Sequence, residues 1–187
     1  MKKAALFCLG FILPCMIYAQ HIGYVITTKN DTINCNMVKL VSFGGIQYQV
    51  MDGGDFIKVK GDHIREYQLT DDSSVYVNKI LSDKNQPYFL QREILGKISL
   101  FSLFIKNNYQ GLTYYVAKET DTAFALSKPT QIVTGNTYKK GSKERLVSMF
   151  ADQPAIAIAF KAKKSFDMDK IIGYIRAYNS AATASVK

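Results

Sequence analysis

From residue 23 onward, apolar and polar side chains alternate with the period of two that a half-buried strand requires. In "VITTKNDTINCNM" two β-branched segments flank Asn30-Asp31, a pair suited to a tight hairpin turn. In "IQYQVM", Ile46, Tyr48 and Val50 alternate with Gln47 and Gln49, and a "DGGD" turn leads into "FIKVK". "HIREYQL", "SVYVNKI", "YFLQREIL", "KISLFSLFI", "LTYYVAK" and "TAFALS" follow, each bounded by Gly, Asp, Asn, Ser or Pro. Short strands at close spacing, with no helical period between them, predict an antiparallel meander. The expected fold is mainly β (α+β), a sandwich or small open barrel with two or three short C-terminal helices. A faint echo between "VITTKNDTI" and "YVAKETDTAF" reads as the same hairpin chemistry used twice.

From Ser142 the period lengthens. Leu146, Val147 and Phe150 fall on one helical face, Ser142 is placed to cap the start, and Pro154 limits the end. "PAIAIAFKAKK" suits a second short helix with Pro154 in its first turn, although its Ala/Ile alternation also permits a strand. A third helix starts at Asp167 as N-cap, with Phe166 packing on Ile171 as a hydrophobic staple and Ile175 and Tyr178 continuing the stripe. After Asn179, "SAATASVK" has no core-forming residue and reads as a frayed tail. The expected organisation is a leader over 1–19, a β domain over 20–138, a helical segment over 139–179 packed on it, and a disordered tail over 180–187. Two small subdomains are an alternative.

The leader "MKKAALFCLGFILPCMIYAQ" has the three parts of a secretory signal: Lys2 and Lys3, an apolar run from Ala4 to Leu13, and a small-residue end at Ala19. The run is too short for a permanent span. Processing between Ala19 and Gln20 leaves a chain with no transmembrane segment, exported to the periplasm, the outer-membrane periphery or beyond. Lipidation at Cys15 is the alternative, disfavoured by Pro14 before it. Processing also removes Cys8 and Cys15, so Cys35 has no intramolecular disulfide partner. Ile33, Cys35 and Met37 alternate with Asn34 and Asn36, which places Cys35 on an apolar strand face as a small hydrophobe, not a reactive thiol.

Charge is informative only when the chain is divided. Residues 20–138 carry twelve Lys/Arg against eleven Asp/Glu, whereas residues 139–187 carry ten against four. The basic excess is a statement about partners. Lys139, Lys140, Lys143, Lys161, Lys163 and Lys164, with Arg145, Lys170 and Arg176 nearby, form a candidate surface for an anionic partner: an envelope protein, a glycan or an anionic lipid surface. Nucleic acid is not expected, because no aromatics interleave with these lysines as in single-strand binders. Solvated helix faces are the plainer reading of the same charges.

Chemistry is poorly supplied. After the leader there are two histidines, His21 and His63, and no metal-ligand spacing joins them. His63 with Asp62 and Glu66 is the one hydrolytic or metal-binding constellation to test; a solvated histidine at a strand start is the plain alternative. Asp52, Asp55, Asp71 and Asp72 sit in turns and do not reproduce a calcium loop. "GNTYKKGSK" fails as a phosphate loop, since Ser142-Lys143 reverses the Lys-Ser/Thr order that such a loop needs. No Gly-x-Ser-x-Gly elbow is present. Neither catalytic residues nor a metal or cofactor are expected. Tyr114 should share a face with Leu112 and Val116, leaving Tyr115 opposite. Tyr48, Tyr76, Tyr88 and Tyr115, if they share one exposed face, would make a sugar or peptide platform.

The opening "GYVITTKNDTINCNM", the "RLVSMFADQPAIAIAF" segment and the "IIGYIRAYN" ending together resemble uncharacterised exported envelope proteins of the Bacteroidota. The matching pieces are Gly23 to Ile33, Phe150 to Pro154, and Tyr178-Asn179. The resemblance implies an envelope location and a β-rich fold, and carries no activity. The expected role is therefore a non-catalytic envelope protein that binds or organises a partner or ligand. The alternatives are an envelope hydrolase using His63 and peripheral membrane attachment through the basic end. When the full chain is expressed in a Gram-negative host, the product recovered outside the inner membrane should begin at Gln20 by intact mass; retention of the unprocessed chain in the cytosol would contradict the leader.

Overall fold

An alternating strand has one face to bury, so the first structural question is what each face of the sheet meets. In the computed structural model the described residues run from 23 to 184, except 42–44, 72, 107–109, 120–121, 127–129, 132–140 and 165–166. The leader, His21, Asp72, Lys139, Lys140, Phe166 and residues 185–187 lie outside them. The strands are β1 (Gly23–Thr27), β2 (Thr32–Val41), β3 (Gly45–Val50), β4 (Ile57–Val59), β5 (Ile64–Gln68), β6 (Val75–Ile80), β7 (Pro87–Ile94), β8 (Ile98–Lys106), β9 (Gln110–Lys118), β10 (Phe124–Ala125) and β11 (Thr130–Gln131). The helices are α1 (Ser142–Met149), α2 (Pro154–Lys161) and α3 (Met168–Ala184).

The strands form one sheet in the order β10-β9-β8-β7-β6-β5-β1-β2-β3-β4, with β11 also pairing β9. Every pairing between named strands is antiparallel. The expected hairpin joins β1 to β2. Asn30 adopts φ 70° there, a conformation asparagine tolerates better than most residues, and the Thr27 hydroxyl accepts from the Lys29 and Asp31 N–H groups at 3.2 Å each. In "DGGD", Gly53 and Gly54 stand at φ 81° and 105°, where a side chain would be strained.

Register assigns the faces, since directly paired residues point the same way. Val25 pairs Tyr67 and Ile33, Tyr67 pairs Tyr76, and Val38 pairs Tyr48, which puts these on one face. With Cys35, Ile46 and Ile64 they form a first core, and Phe89 packs against it. The opposite face carries Leu90, Phe101, Tyr115 and Ala117, which form a second core with Leu81 and Ala123. Strands β6 and β7 serve both: Tyr76 and Phe89 face the first core, Val77 and Leu90 the second. At the second core the sheet closes on itself. Ala123 bridges Leu81 across the intervening strands, with Ser82 N–H donating to Ala123 O at 2.9 Å and Ala123 N–H to Ile80 O at 3.0 Å. One curled sheet, and not two facing sheets, is thus how the barrel-like expectation is realised.

Irregular pairing aims these faces. In β2 the register shifts between Cys35 and Met37, so that Cys35 and Val38 both point inward although three residues apart. Shifts at Ile26/Thr27 and Arg92/Ile94 do the same for Ile64 and Tyr67, and for Ile94. As expected, Tyr114 lies with Leu112 and Val116, opposite Tyr115. The four-tyrosine platform does not form. Tyr48 and Tyr76 face the first core, while Tyr88 and Tyr115 face the second.

The helices cover β8 and β9 on the face that carries Ile98, Leu100 and Val116. Phe150 is fully buried at the centre of this third core, with the Phe160 ring at 5.3 Å edge-on and the Tyr178 ring at 5.5 Å. Removing such a ring costs about 3–5 kcal/mol. Pro154 and three alanines favour helix over the alternative strand in α2. Asp167 caps α3, accepting from Lys170 N–H at 3.0 Å. Two expectations are corrected. Ser142 is not the cap of α1: Gly141 holds that position in the left-handed region, and the buried Ser142 hydroxyl donates instead to Leu126 O at 3.0 Å, tying the helix to the residue that follows β10. The predicted tail is helical as far as Ala184, because Ala182 packs against the third core and Thr183 donates back to Asn179 O.

Two residues pin this helical cap to the sheet. Asn179 reproduces a strand partner, accepting from Ile98 N–H at 2.9 Å and donating to Ile98 O at 2.8 Å. Asp152 accepts from Lys97 at 2.9 Å, from Lys118 at 3.0 Å and from the buried Tyr178 hydroxyl at 2.7 and 2.8 Å. Desolvation acts to raise the Asp152 carboxyl, but hydrogen bonds from Lys97, Tyr178 and Lys118 outweigh it and hold the group well below the usual carboxylate range. A depressed carboxylate stabilises the fold above its unfolded pKa of about 3.9, and that contribution is lost as pH falls through the lower folded value. Asp152→Asn should therefore lower Tm at pH 7 by about 2–4 °C, for about 1 kcal/mol once its partial exposure is discounted. Thermal unfolding between pH 7 and 2 checks this: the gap should shrink below about pH 4, and a gap independent of pH would refute it.

Candidate functional site: the aromatic-walled concavity

The sheet curls enough that the β3–β4 end and the β6–β8 strands face a common concavity of about 1120 Å³. The segment 58–62 forms one wall; Tyr76, Phe89 and Phe104 stand along the other, with Leu40 at the first wall's edge. Leu40 is 54 % exposed and Phe104 51 % exposed, so two large apolar side chains of this lining are presented to solvent. The pairings that put them there are Leu40 with Ile46, Ile46 with Val59, and Phe104 with Leu112.

The lining carries the exposed, charged Lys58, Lys60 and Asp62 on the 58–62 segment, whereas the neutral polar groups Asn78, Gln91 and Ser102 are committed to the protein. Asn78 donates to Gly61 O and Ile64 O at 3.1 Å each, which fastens the 61–64 turn to β6. Ser102 donates to Glu93 at 2.6 Å and Gln91 to Ser74 at 3.4 Å. Tyr67 differs. Its ring is fully buried, stacked on Tyr76 at 5.1 Å and edge-on to Phe89 at 5.0 Å, and its hydroxyl has no hydrogen-bond partner among the described residues. Burial, with Tyr76 adding to it, keeps that hydroxyl protonated far above the ordinary tyrosine range. A buried, unpaired donor in the lining costs about 1–3 kcal/mol, and an acceptor on a bound molecule would relieve that cost. The arrangement is chemically that of a holder: an apolar and aromatic side formed by Tyr76, Phe89, Leu103 and Phe104, one orphan donor, and charged groups confined to the 58–62 segment.

The predicted reactive constellation does not assemble. The side chains of His63 and Asp62 are 70 % and 67 % exposed and stand 3.7 Å apart. Glu66 faces the other side of the sheet, where it accepts from Tyr24 at 2.5 Å and from Arg92 at 2.8 Å. Among the described residues no group of three or more His, Cys, Asp or Glu is placed to hold a metal ion. No described helix is long and apolar enough to cross a membrane.

Of the predicted basic surface, Lys161, Lys163 and Lys164 are exposed at the end of α2, and Lys143 reaches them by donating to Lys163 O at 2.5 Å. Arg145 is drawn away onto the Phe124 ring at 4.2 Å. The concavity and the Asp152 hub were missed by sequence reasoning. The sole signal of the hub was the Phe-x-Asp-x-Pro string, now seen as a buried ring, a three-donor carboxylate and the first residue of α2. No family model matches the chain, and no curated protein or solved structure is similar to it.

Cys35 sits in the first core, fully buried, with its thiol on Ile33 O at 3.3 Å. Desolvation pushes the thiol up to about 11. Its thiolate fraction near neutrality is then on the order of 100-fold below that of a free cysteine. In the processed chain, a disulfide reagent should modify Cys35 at least about 100-fold more slowly in the native state than in denaturant. Rapid native labelling would contradict the placement.

Proposed function

We propose that this chain is an exported, non-catalytic envelope protein that holds an apolar, chain-like ligand in the concavity, the acyl chain of a lipid being the class that fits. The observation that carries this reading is a concavity of about 1120 Å³ whose lining sets the exposed Leu40 and Phe104 and the rings of Tyr76 and Phe89 beside the charged Lys58 and Lys60, as an acyl chain with an anionic head requires. Such a volume is of the size that small-molecule sites use. A glycan would need donors and acceptors spread through the site, whereas Asn78, Gln91 and Ser102 already bond to the protein and the charged groups Lys58, Lys60 and Asp62 lie on one short segment. An acyl chain needs contact area, gaining about 0.8 kcal/mol per buried CH₂, and one carbonyl or carboxyl oxygen to meet the Tyr67 hydroxyl. Export and envelope location rest on the leader. Against the hydrolase alternative stands the commitment of Glu66 to Tyr24 and Arg92, while His63 is exposed to solvent beside Asp62 alone.

Titration of the processed protein with a fluorescent polyene fatty acid, followed by competition with palmitate, tests the reading. Saturable binding should weaken at least about tenfold in Leu40→Glu and in Phe104→Glu, because each sets an unpaired charge against the chain. Tyr67→Phe should hold or raise Tm, since it removes an unsatisfied hydroxyl, while weakening the probe about three- to tenfold. Absence of saturable binding, or binding indifferent to both Glu substitutions, would sink the proposal.

A further inference from the structure

Helix α2 turns only part of its apolar surface inward. Phe160 is buried, and Ile156 and Ala157 pack against the third core. Pro154, Ala155, Ile158 and Ala159 are exposed, Ile158 at 70 %. Immediately beyond lie the exposed Lys161, Lys163 and Lys164, and Lys143 of α1 brings a fourth ammonium to the same corner through its bond to Lys163 O.

Two plainer accounts fall short. Lysines at a helix C-terminus complement its dipole, but that explains a charge in the last turn and not four around one corner. A solvated basic face needs no apolar companion, yet here the most exposed apolar side chain on α2 adjoins the lysines. Among the described residues Lys161, Lys163 and Lys164 form no ion pair, and the nearby Asp167 is engaged by Lys170 at 2.6 Å. An aliphatic helix face fringed by ammonium groups, three of them outside any ion pair among the described residues, matches the boundary of an anionic bilayer, where the side chain enters the acyl region and the cations meet lipid phosphate.

We propose that the outer face of α2, with Lys143, Lys161, Lys163 and Lys164, docks this protein on an anionic lipid surface. The occupant is a bilayer and not an acidic protein because Ile158 gains nothing from carboxylates alone. Docking of this kind is reversible, since one short helix buries little. The inference stands apart from the concavity: it uses another part of the molecule and does not need a ligand there.

The test is co-sedimentation of the processed protein with phosphatidylcholine vesicles and with vesicles containing phosphatidylglycerol. Binding should require phosphatidylglycerol and fall steeply between about 0.1 and 1 M salt, over which the screening length drops from about 10 to 3 Å. Each lysine is worth about fivefold in partition, so Lys161→Gln, Lys163→Gln and Lys164→Gln together should cost on the order of 100-fold. Ile158→Asn, at unchanged charge, should cost about tenfold. All four positions are exposed, and an unchanged Tm shows that the variants fold. Leu40→Glu should leave vesicle binding as it is, which separates this inference from acyl-chain binding. No binding to anionic vesicles, or binding indifferent to the lysine variant, overturns the proposal. So does equal binding to polyglutamate that ignores Ile158→Asn, which would identify an acidic polypeptide as the partner.

Discussion

A sheet of eleven strands has two faces, and three short helices cover only a small part of one. The remaining apolar surface must be buried by the sheet itself, and that requirement shapes the molecule. One end buries Val25, Tyr48 and Tyr67 on one face, and the other buries Leu90, Phe101 and Tyr115 on the opposite face. Strands β6 and β7 lie where the buried face switches, which is why both of their faces carry core residues. The Leu81–Ala123 bridge fixes the second curl, and the three register shifts fix where side chains point within both. The concavity is a by-product of this geometry, since two stretches of one sheet can enclose space only if the sheet between them bends.

The helical cap works on a different principle. It attaches through a buried aromatic trio and through polar groups that imitate backbone or converge on one carboxylate. Asn179 gives Ile98 the two hydrogen bonds that a neighbouring strand would supply, so α3 continues the sheet by other means. Gly96 makes room for it: a Cβ there would stand 2.2 Å from the Asn179 amide nitrogen. Asp152 then joins the loop after α1 to β8's Lys97 neighbour, to β9 and to α3 at one point.

What could be read in the sequence was whatever local periodicity determines. The strand order in the chain, the Asn30 turn, the inward Cys35, the Asp167 cap and the opposed faces of Tyr114 and Tyr115 all follow from neighbours within a few residues. The failures were long-range. Tyr48 and Tyr76 parted from Tyr88 and Tyr115 because facing depends on register between strands, and a single bulge inverts it. Ser142 looked like a cap because its true partner, Leu126, is 16 residues away. Residues 180–184 looked like a tail because the surface that orders Ala182 is built by other parts of the chain. The concavity needs both ends of the sheet, and no window of sequence contains them.

The bond between Asn179 and Ile98 spans 81 residues, and the third core takes its helices from the end of the chain. Loop closure over that distance has to precede the contacts that reward it. A growing chain can pair its early strands but cannot seal β8 and β9 until residue 179 has arrived. Completion of the third core is thus timed by the arrival of residue 179. Until then the apolar face of β8 and β9 that carries Ile98, Leu100 and Val116 stays uncovered, so the last core to close is also the one whose strands wait longest for their cover.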